Sequence, residues 1–257
     1  MKRILLCLLA LLTVPCGLDA KDKPVVFQDV TARGRMLEEY DQAAWHATDA
    51  TLALKPDEGS VGRYIAQKTS AGWEVVFGRL NEGTTKFLVV YEATQGQDLK
   101  HFNLKKYDPP KENTGFYFAA AKAIGLALQE FHAENRPYNA YVLPQADQLY
   151  VYILPAQTKP DIYPLGGDAR YAVSVDGATI IEKRQLHKTI LENRASDAPE
   201  GTKIESGYHT HVLTDVPEDT DVFHVLTQNP PLPEYVGSAK NKHVYVIEID
   251  GVIRRVE

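Results

Sequence analysis

Two helical segments, each followed by short apolar β segments, constrain the fold of this chain more than any other feature. Residues 37–55 place apolar side chains at helical spacing and end before Pro56. Residues 116–134 are rich in Ala and Leu and end before Pro137. Short links that contain glycine separate the strands after the first helix, which favours an antiparallel meander. Those strands are predicted at 62–67, 73–78 and 86–92.

The second half repeats this order and then continues into a tail. Its predicted strands are 138–143, 149–154, 170–175 and 178–187. The tail is predicted to contain strand 203–211, helix 217–228 and strand 243–249. The sequence therefore predicts an α+β fold in which helices pack on antiparallel meander sheets. Two similar units would explain the repeated order, but helix-then-meander is also a common α+β solution.

A polar segment, residues 96–115, lies between the halves and contains Pro109-Pro110 and several lysines. We predict a linker there, because prolines and polar residues mark segments outside regular structure. This boundary separates an N-terminal α+β unit at 21–95 from a C-terminal α+β domain at 116–257. The layout of the first unit loosely resembles the small PepSY or cystatin-like exported modules.

The first twenty residues have the pattern of a signal peptide. Lys2 and Arg3 precede an unbroken run of eleven mainly apolar residues, which is too short to span a bilayer. Cleavage after Ala20 would start the mature chain at Lys21, in the periplasm or outside the cell. Lipid attachment at Cys16 is the alternative, although Pro15 stands where a small residue is usual.

Both cysteines of the chain, Cys7 and Cys16, lie in this leader. The mature protein would therefore have no disulfide, no cysteine nucleophile and no thiolate metal ligand. Loss of the leader changes the formal net charge from −6 to −7, and no long basic run is present. Nucleic-acid binding therefore lacks its electrostatic signature, and no later segment of the mature chain reaches the length of a transmembrane helix.

One histidine-carboxylate pattern could carry chemistry. His209 and His211 lie two residues apart on the predicted strand, so their side chains project from the same face. Asp221 follows ten residues later, in the first turn of the next predicted helix. Imidazole and carboxylate groups are common zinc ligands. We therefore expect a zinc site at His209, His211 and Asp221, with His187 and His224 as lesser candidates.

This order resembles the JAB/MPN-type metalloproteases, the JAMM group. Their motif is His-x-His followed after seven residues by Ser-x-x-Asp, and an upstream Glu activates the metal-bound water. The resemblance covers residues 116–257 and implies zinc-dependent peptidase or isopeptidase activity. Asp221 lies one residue short of the family spacing, and Glu218 and Asp219 stand where the Ser is expected. The predicted strand 138–143 contains no Glu, so Glu182 is the nearest candidate for the catalytic base.

Two functional interpretations remain open from the sequence. The leading one is an exported cell-envelope protein that works as a binding or structural module, with an envelope protein, a peptide or a glycan as its partner. In this interpretation His209 and His211 can be an ordinary surface pair without metal. The alternative is a zinc-dependent peptidase with a degenerate JAMM-like site. A carboxylate base within one water of the metal would separate the two.

Overall fold

The computed structural model describes residues 27–192 and 201–256 of the chain. The predicted leader, its cleavage site and Cys16 lie outside the described residues. The helices are α1 (Gln28–Ala53), α2 (Phe116–Glu130) and α3 (Asp219–Thr227). The strands are β1 (Arg63–Thr69), β2 (Gly72–Leu80), β3 (Phe87–Gln95), β4 (Phe102–Asn113), β5 (Tyr138–Pro144), β6 (Gln148–Pro155), β7 (Leu165–Gly166), β8 (Ala169–Ser174), β9 (Ile180–Gln185), β10 (Ile190–Leu191), β11 (Gly207–His211), β12 (Glu234–Ser238), β13 (Val244–Ile247) and β14 (Ile253–Val256).

Two antiparallel meanders of four strands confirm the predicted α+β class. One sheet has the order β1-β2-β3-β4, and the other has the order β5-β6-β8-β9. Each follows a long helix, as the sequence predicts. The strands β7 and β10 form a separate two-stranded pair.

Alternation along the strands places the two long helices on opposite faces of both sheets. On β2, Val75 faces the apolar cluster of α1, whereas Val76 faces that of α2. On β6, Tyr152 faces the α1 cluster and Val151 faces the α2 cluster. This follows from the two-residue period of a strand. Each apolar cluster therefore contains residues from both of the predicted units.

The predicted linker at 96–115 is wrong in its local structure, because residues 102–113 form β4 and pair with β3. The register shifts between Val89 and Tyr91 of β3, which are opposite Lys111 and Lys106 of β4. Pro109-Pro110 lies in the resulting bulge. Proline cannot donate a ladder hydrogen bond, so a bulge in an edge strand accommodates this pair. Hydrogen bonding to the edge of β3 therefore places residues 102–113 in a strand, although their composition is typical of a linker.

The C-terminal lobe comprises β11, α3 and β12–β14 and has its own sheet. The sheet order is β11-β12-β13-β14, and β11 pairs with β12 in parallel through the α3 crossover. The sequence did not predict β12, which follows a proline-rich segment. Among the described residues, no helix is long and apolar enough to cross a membrane.

The beginning of α1 packs against this lobe. The helix starts at Gln28, nine residues before its predicted start at residue 37. Phe27 and Val30 pack on the apolar cluster between α3 and the C-terminal sheet. Gly34 contacts α3 so closely that an added Cβ would lie 2.5 Å from Cβ of Val222. Tertiary contact therefore extends α1 beyond its own amphipathic pattern.

Candidate metal centre

Four buried side chains from three segments converge between the C-terminal lobe and the rest of the protein. His209 and His211 project from the same face of β11, as predicted, while Thr210 between them is exposed. Asp221 comes from the first turn of α3. His187 comes from the segment that links β9 to β10. Together these four residues form a group that could hold a metal ion.

The ligand atoms lie close to one another. Nε2 of His187 is 2.9 Å from Oδ1 of Asp221 and 2.8 Å from Nε2 of His211. Nε2 of His209 is 3.2 Å from Oδ1 of Asp221, and Nε2 of His211 is 3.1 Å from its Oδ2. Nε2 of His209 and Oδ1 of Asp221 are both buried, and although they lie 3.2 Å apart, neither atom makes a hydrogen bond of good geometry. Buried polar atoms usually have such a bond, so this geometry is compatible with a shared partner between the imidazoles and the carboxylate.

The outward-facing nitrogen of each imidazole is held by the protein. Nδ1 of His187 lies 2.8 Å from Oδ1 of Asp168, and Nδ1 of His209 lies 2.8 Å from Oε1 of Glu234. Nδ1 of His211 lies 2.7 Å from the hydroxyl of Thr214 and 3.0 Å from the carbonyl of Val216. A carboxylate or carbonyl can only accept, so each Nδ1 donates its proton. In the neutral tautomer, each Nε2 then presents its lone pair to the centre.

One glycine makes the contact between Glu234 and His209 possible. Gly207 and Glu234 are paired residues of the parallel strands β11 and β12. A Cβ at Gly207 would lie 1.7 Å from Oε2 of Glu234. Only glycine therefore lets this carboxylate lie across β11 and reach the imidazole.

The start of α3 fixes the position of Asp221. Oδ2 of Asp221 accepts a hydrogen bond of 2.7 Å from the backbone N–H of Glu218, one helical turn earlier. Glu218 itself is buried and paired with Arg184. Asp219 is also buried and binds Arg33, Arg170 and the hydroxyl of Tyr152. Both acidic residues of the predicted helix start therefore support the helix rather than join the centre.

In the metal-free protein, the ionisation of the centre is governed by burial and by the Asp221 charge. Burial lowers the pKa of His209, but its contacts with Asp221 and Glu234 outweigh this effect and raise the pKa to about 9. Burial likewise lowers the pKa of His187, and the Asp168 and Asp221 carboxylates raise it well above its usual value. Burial raises the pKa of Asp221, yet the attraction of His187 and the contacts with the other two imidazoles hold it well below its usual range. The centre therefore retains positive charge on its imidazoles to balance Asp221.

The structure brings together only some of the residues predicted for a zinc-dependent hydrolase. His209, His211 and Asp221 meet as expected, even though Asp221 is one residue short of the family spacing. Glu182, the candidate base, is exposed on β9 and is not part of the group. His224, a lesser candidate, lies on α3 outside the group, and burial lowers its pKa to about 4.

Sequence reasoning underrated His187 and missed the residues that orient the imidazoles. His187 precedes His209 by 22 positions and lies in a connection between strands, where no spacing rule identifies a ligand. Asp168 and Glu234 are isolated acidic residues in the sequence. The only available signal was Gly207 beside the His-x-His segment, since a glycine in a strand often marks close approach of another group.

Two cavities flank the centre. One of about 360 Å³ is lined by the three histidines and by apolar residues that include Leu165, Leu186 and Val212. The other, of about 740 Å³, shares Leu165 with the first and has Glu234 in its wall. The histidine side of the centre is therefore next to space that a small molecule can enter.

Comparison of the chain with protein-family models, curated proteins and solved structures found no match. The resemblance to the JAMM group therefore stays a prediction from the His-x-His segment.

Proposed function

We propose that this protein binds one zinc ion through His187, His209, His211 and Asp221. In this proposal the zinc is structural, and the protein is an exported binding or structural module of the cell envelope. One observation carries the proposal: three Nε2 atoms converge on one buried carboxylate while every Nδ1 is held by a protein acceptor. Such outer partners are typical of metal-binding histidines, because they fix the tautomer and the direction of the ring.

The chemistry of the ligands supports zinc. Three imidazole nitrogens and one carboxylate oxygen are the number and kind of ligands that a tetrahedral Zn²⁺ site uses, at about 2.0–2.2 Å. At these bond lengths, neighbouring ligand atoms of a tetrahedron are about 3.3 Å apart. Oδ1 of Asp221 lies 2.9 Å from Nε2 of His187 and 3.2 Å from Nε2 of His209, which is close to that value, and all four ligand atoms lie within 4.8 Å of one another. Hard cations such as Mg²⁺ and Ca²⁺ prefer oxygen ligands and fit the group less well.

The number of ligands favours a structural role. Catalytic zinc sites keep one position open for water, whereas structural sites use four protein ligands. His187 supplies the fourth ligand here. The two further carboxylates that contact the imidazoles, Asp168 and Glu234, already accept hydrogen bonds from them. Neither is available as the base that a zinc-bound water would need.

Zinc-dependent hydrolysis is the second candidate. It is favoured by the cavity of about 360 Å³ beside the three histidines, which offers space for a substrate. This function requires His187 to leave the metal, so that water can take the fourth position. The two candidates differ in the role of His187, which is a permanent ligand in the first and a displaceable group in the second.

The zinc content of the purified mature protein tests the main proposal. We expect one zinc per chain by elemental analysis, with His209→Ala and His211→Ala retaining little. His101→Ala is the matched control, because His101 is exposed, contacts Asp98 and is not part of the group. Zinc loss in the control equal to that in the other variants would contradict the proposal, as would a metal-free wild-type protein.

His187→Ala separates the two functions. If the centre is structural, this variant loses zinc affinity and gains no activity towards peptide or isopeptide substrates. If hydrolysis is the function, wild type cleaves such a substrate in a zinc-dependent manner. Zinc-dependent cleavage by wild type would mean that the zinc is catalytic and not structural.

Export is part of the proposal and is supported by the charged and apolar pattern of residues 1–20. Mass spectrometry of the exported protein should find Lys21 as its first residue. A lipid-modified Cys16 at the N-terminus would instead show a lipoprotein.

A further inference from the structure

Asp219 lies at the first residue of α3, two positions before Asp221, and its side chain is completely buried. Its Oδ1 accepts hydrogen bonds from Arg33 of α1, at 3.0 Å from Nε and 2.9 Å from Nη2. Its Oδ2 accepts from Nη1 of Arg170 on β8 at 3.0 Å, and from the hydroxyl of Tyr152 on β6 at 2.6 Å. Helix α1 and the strands β6 and β8 therefore all contact the start of α3 through Asp219.

We infer that Asp219 and Arg33 are positioning residues for the metal centre, through which zinc binding and the docking of α1 are coupled. This inference rests on the proposed zinc function. Asp219 and Asp221 belong to the same helical turn, so a shift of that turn moves both carboxylates. The metal ligand can reach the three imidazoles only while the helix start is held in place.

The contact between α1 and α3 supports this coupling. Gly34 lies against Val222 and the Asp219 carbonyl, where a Cβ would come within 2.8 Å of that oxygen. The guanidinium of Arg33 binds Asp219 from the same part of α1. The two helices therefore meet through a close backbone approach and a partly buried ion pair, near Asp221.

Coupling of this kind is reciprocal. If docking of α1 raises zinc affinity, then zinc must stabilise the docked state of α1 by the same factor. When Asp221 binds the metal, the first turn of α3 is held in position, and so is Asp219. Asp219 then keeps its ion pair with Arg33 of α1. Loss of zinc should therefore loosen the first turns of α1, more than 180 residues away in sequence.

The test uses Arg33→Gln, with Arg35→Gln as its matched control. Both variants remove one positive charge from α1. Arg35 also contacts the C-terminal lobe, through a hydrogen bond of 2.6 Å to the carbonyl of Asp250, but this contact lies away from the start of α3. The zinc dissociation constant is measured by competition with a chromophoric chelator. Unfolding midpoints of the zinc-free proteins are measured in parallel.

We expect Arg33→Gln to weaken zinc binding by about tenfold, a loss within the range found for residues that couple distant sites. Arg35→Gln should bind zinc as wild type does. Arg33→Lys should fall between wild type and Arg33→Gln, because an ammonium can keep one contact with Asp219. The lysine variant also carries the test if the glutamine variant does not fold.

A purely structural role would give a different result. Arg33→Gln would then lower the unfolding midpoint of the zinc-free protein and leave the zinc dissociation constant unchanged, which would overturn the inference. Hydrogen exchange adds a second readout, since zinc should slow exchange in the first turns of α1 in wild type and do so less in Arg33→Gln. Equal slowing in both would also overturn it. Absence of zinc binding by wild type would instead reject the proposed function itself.

Discussion

Two carboxylates in one helical turn have opposite surroundings. Asp219 is bound by two guanidinium groups and a tyrosine hydroxyl, all of which donate to it. Asp221 instead faces three imidazoles, whose Nε2 atoms lie 2.9 to 3.2 Å from its oxygens. Both residues are completely buried, so their different surroundings cannot reflect different access to water.

The difference lies in the kind of positive charge that balances each carboxylate. Arginine keeps its charge at all accessible pH values, so the charge on Asp219 is balanced permanently. An imidazole can give up its proton and then coordinate a metal through the same nitrogen. The charge on Asp221 is therefore balanced by protons in the metal-free protein, and a divalent cation can replace them. The permanent ion pairs of Asp219 hold the start of α3 in place. The protons that balance Asp221 can be exchanged for a metal ion.

Asp219→Ala should have the largest effect on stability. It leaves the buried guanidinium of Arg170 and the partly buried one of Arg33 without their carboxylate partner. Breaking a buried ion pair on one side costs about 3–5 kcal/mol. Urea unfolding in the presence of a chelator measures this loss. The control is Asp215→Ala, which removes an exposed carboxylate 3.9 Å from Lys240, where about 0–1 kcal/mol is expected. Equal losses in the two variants would mean that the Asp219 network contributes little.

Asp221→Asn should abolish the stabilisation by zinc. A ligand at a hundredfold excess over its dissociation constant stabilises the folded state by about 2.7 kcal/mol. Wild type should show this increase in the unfolding free energy, and the Asn variant should show little of it. His101→Ala should respond to zinc as wild type does. A full zinc response in Asp221→Asn would contradict the assignment of Asp221 as a ligand.

Asp168→Asn and Glu234→Gln should weaken zinc binding without removing a ligand. Loss of an outer partner of a metal-binding histidine costs about 10–100-fold in affinity, which is about 1.4–2.7 kcal/mol. Chelator competition measures the change. Glu205→Gln is the control, since Glu205 is an exposed neighbour of β11. If the two outer variants bind zinc as tightly as the control does, the imidazoles are not oriented by these carboxylates.

Zinc affinity should rise with pH up to about 9. The pKa of His209 in the metal-free protein is raised to about 9, so below that pH the centre carries a proton that zinc must displace. The affinity should therefore increase from pH 6 to pH 9, and zinc binding should release protons at pH 7.5. Calorimetry in buffers of different ionisation enthalpy measures that release. Binding at pH 7.5 without proton release would show that the imidazoles are already neutral.

Glu182→Gln should have the smallest effect. Its side chain is exposed on β9 and outside the histidine group, so neither zinc affinity nor stability should change beyond experimental error. Zinc titration and thermal unfolding measure both. If the variant instead abolishes a zinc-dependent hydrolysis by wild type, Glu182 is the base predicted from the family resemblance, and the centre is catalytic.

The sequence by itself determined the α+β class, most of the strands of the two meanders and three of the four residues that meet in the histidine-aspartate group. These features depend on short-range periodicity. His209 and His211 share a face because side chains alternate along a strand, and the short segment after them brings the chain to α3 and Asp221. The absence of cysteine after residue 16 fixes nitrogen and oxygen as the available ligands.

Tertiary structure alone decided the remaining features. His187, Asp168 and Glu234 join the centre across separations of 19 to 25 residues, through hydrogen bonds between segments whose approach no local pattern records. The first turns of α1 and the strand β4 form because a neighbouring lobe and a sheet edge bind them, against the local expectation. Short-range periodicity specifies which way a side chain points. Only the packing of distant segments specifies which groups it contacts, and here that packing added His187 to the predicted residues and formed a group of four side chains that could hold a metal ion.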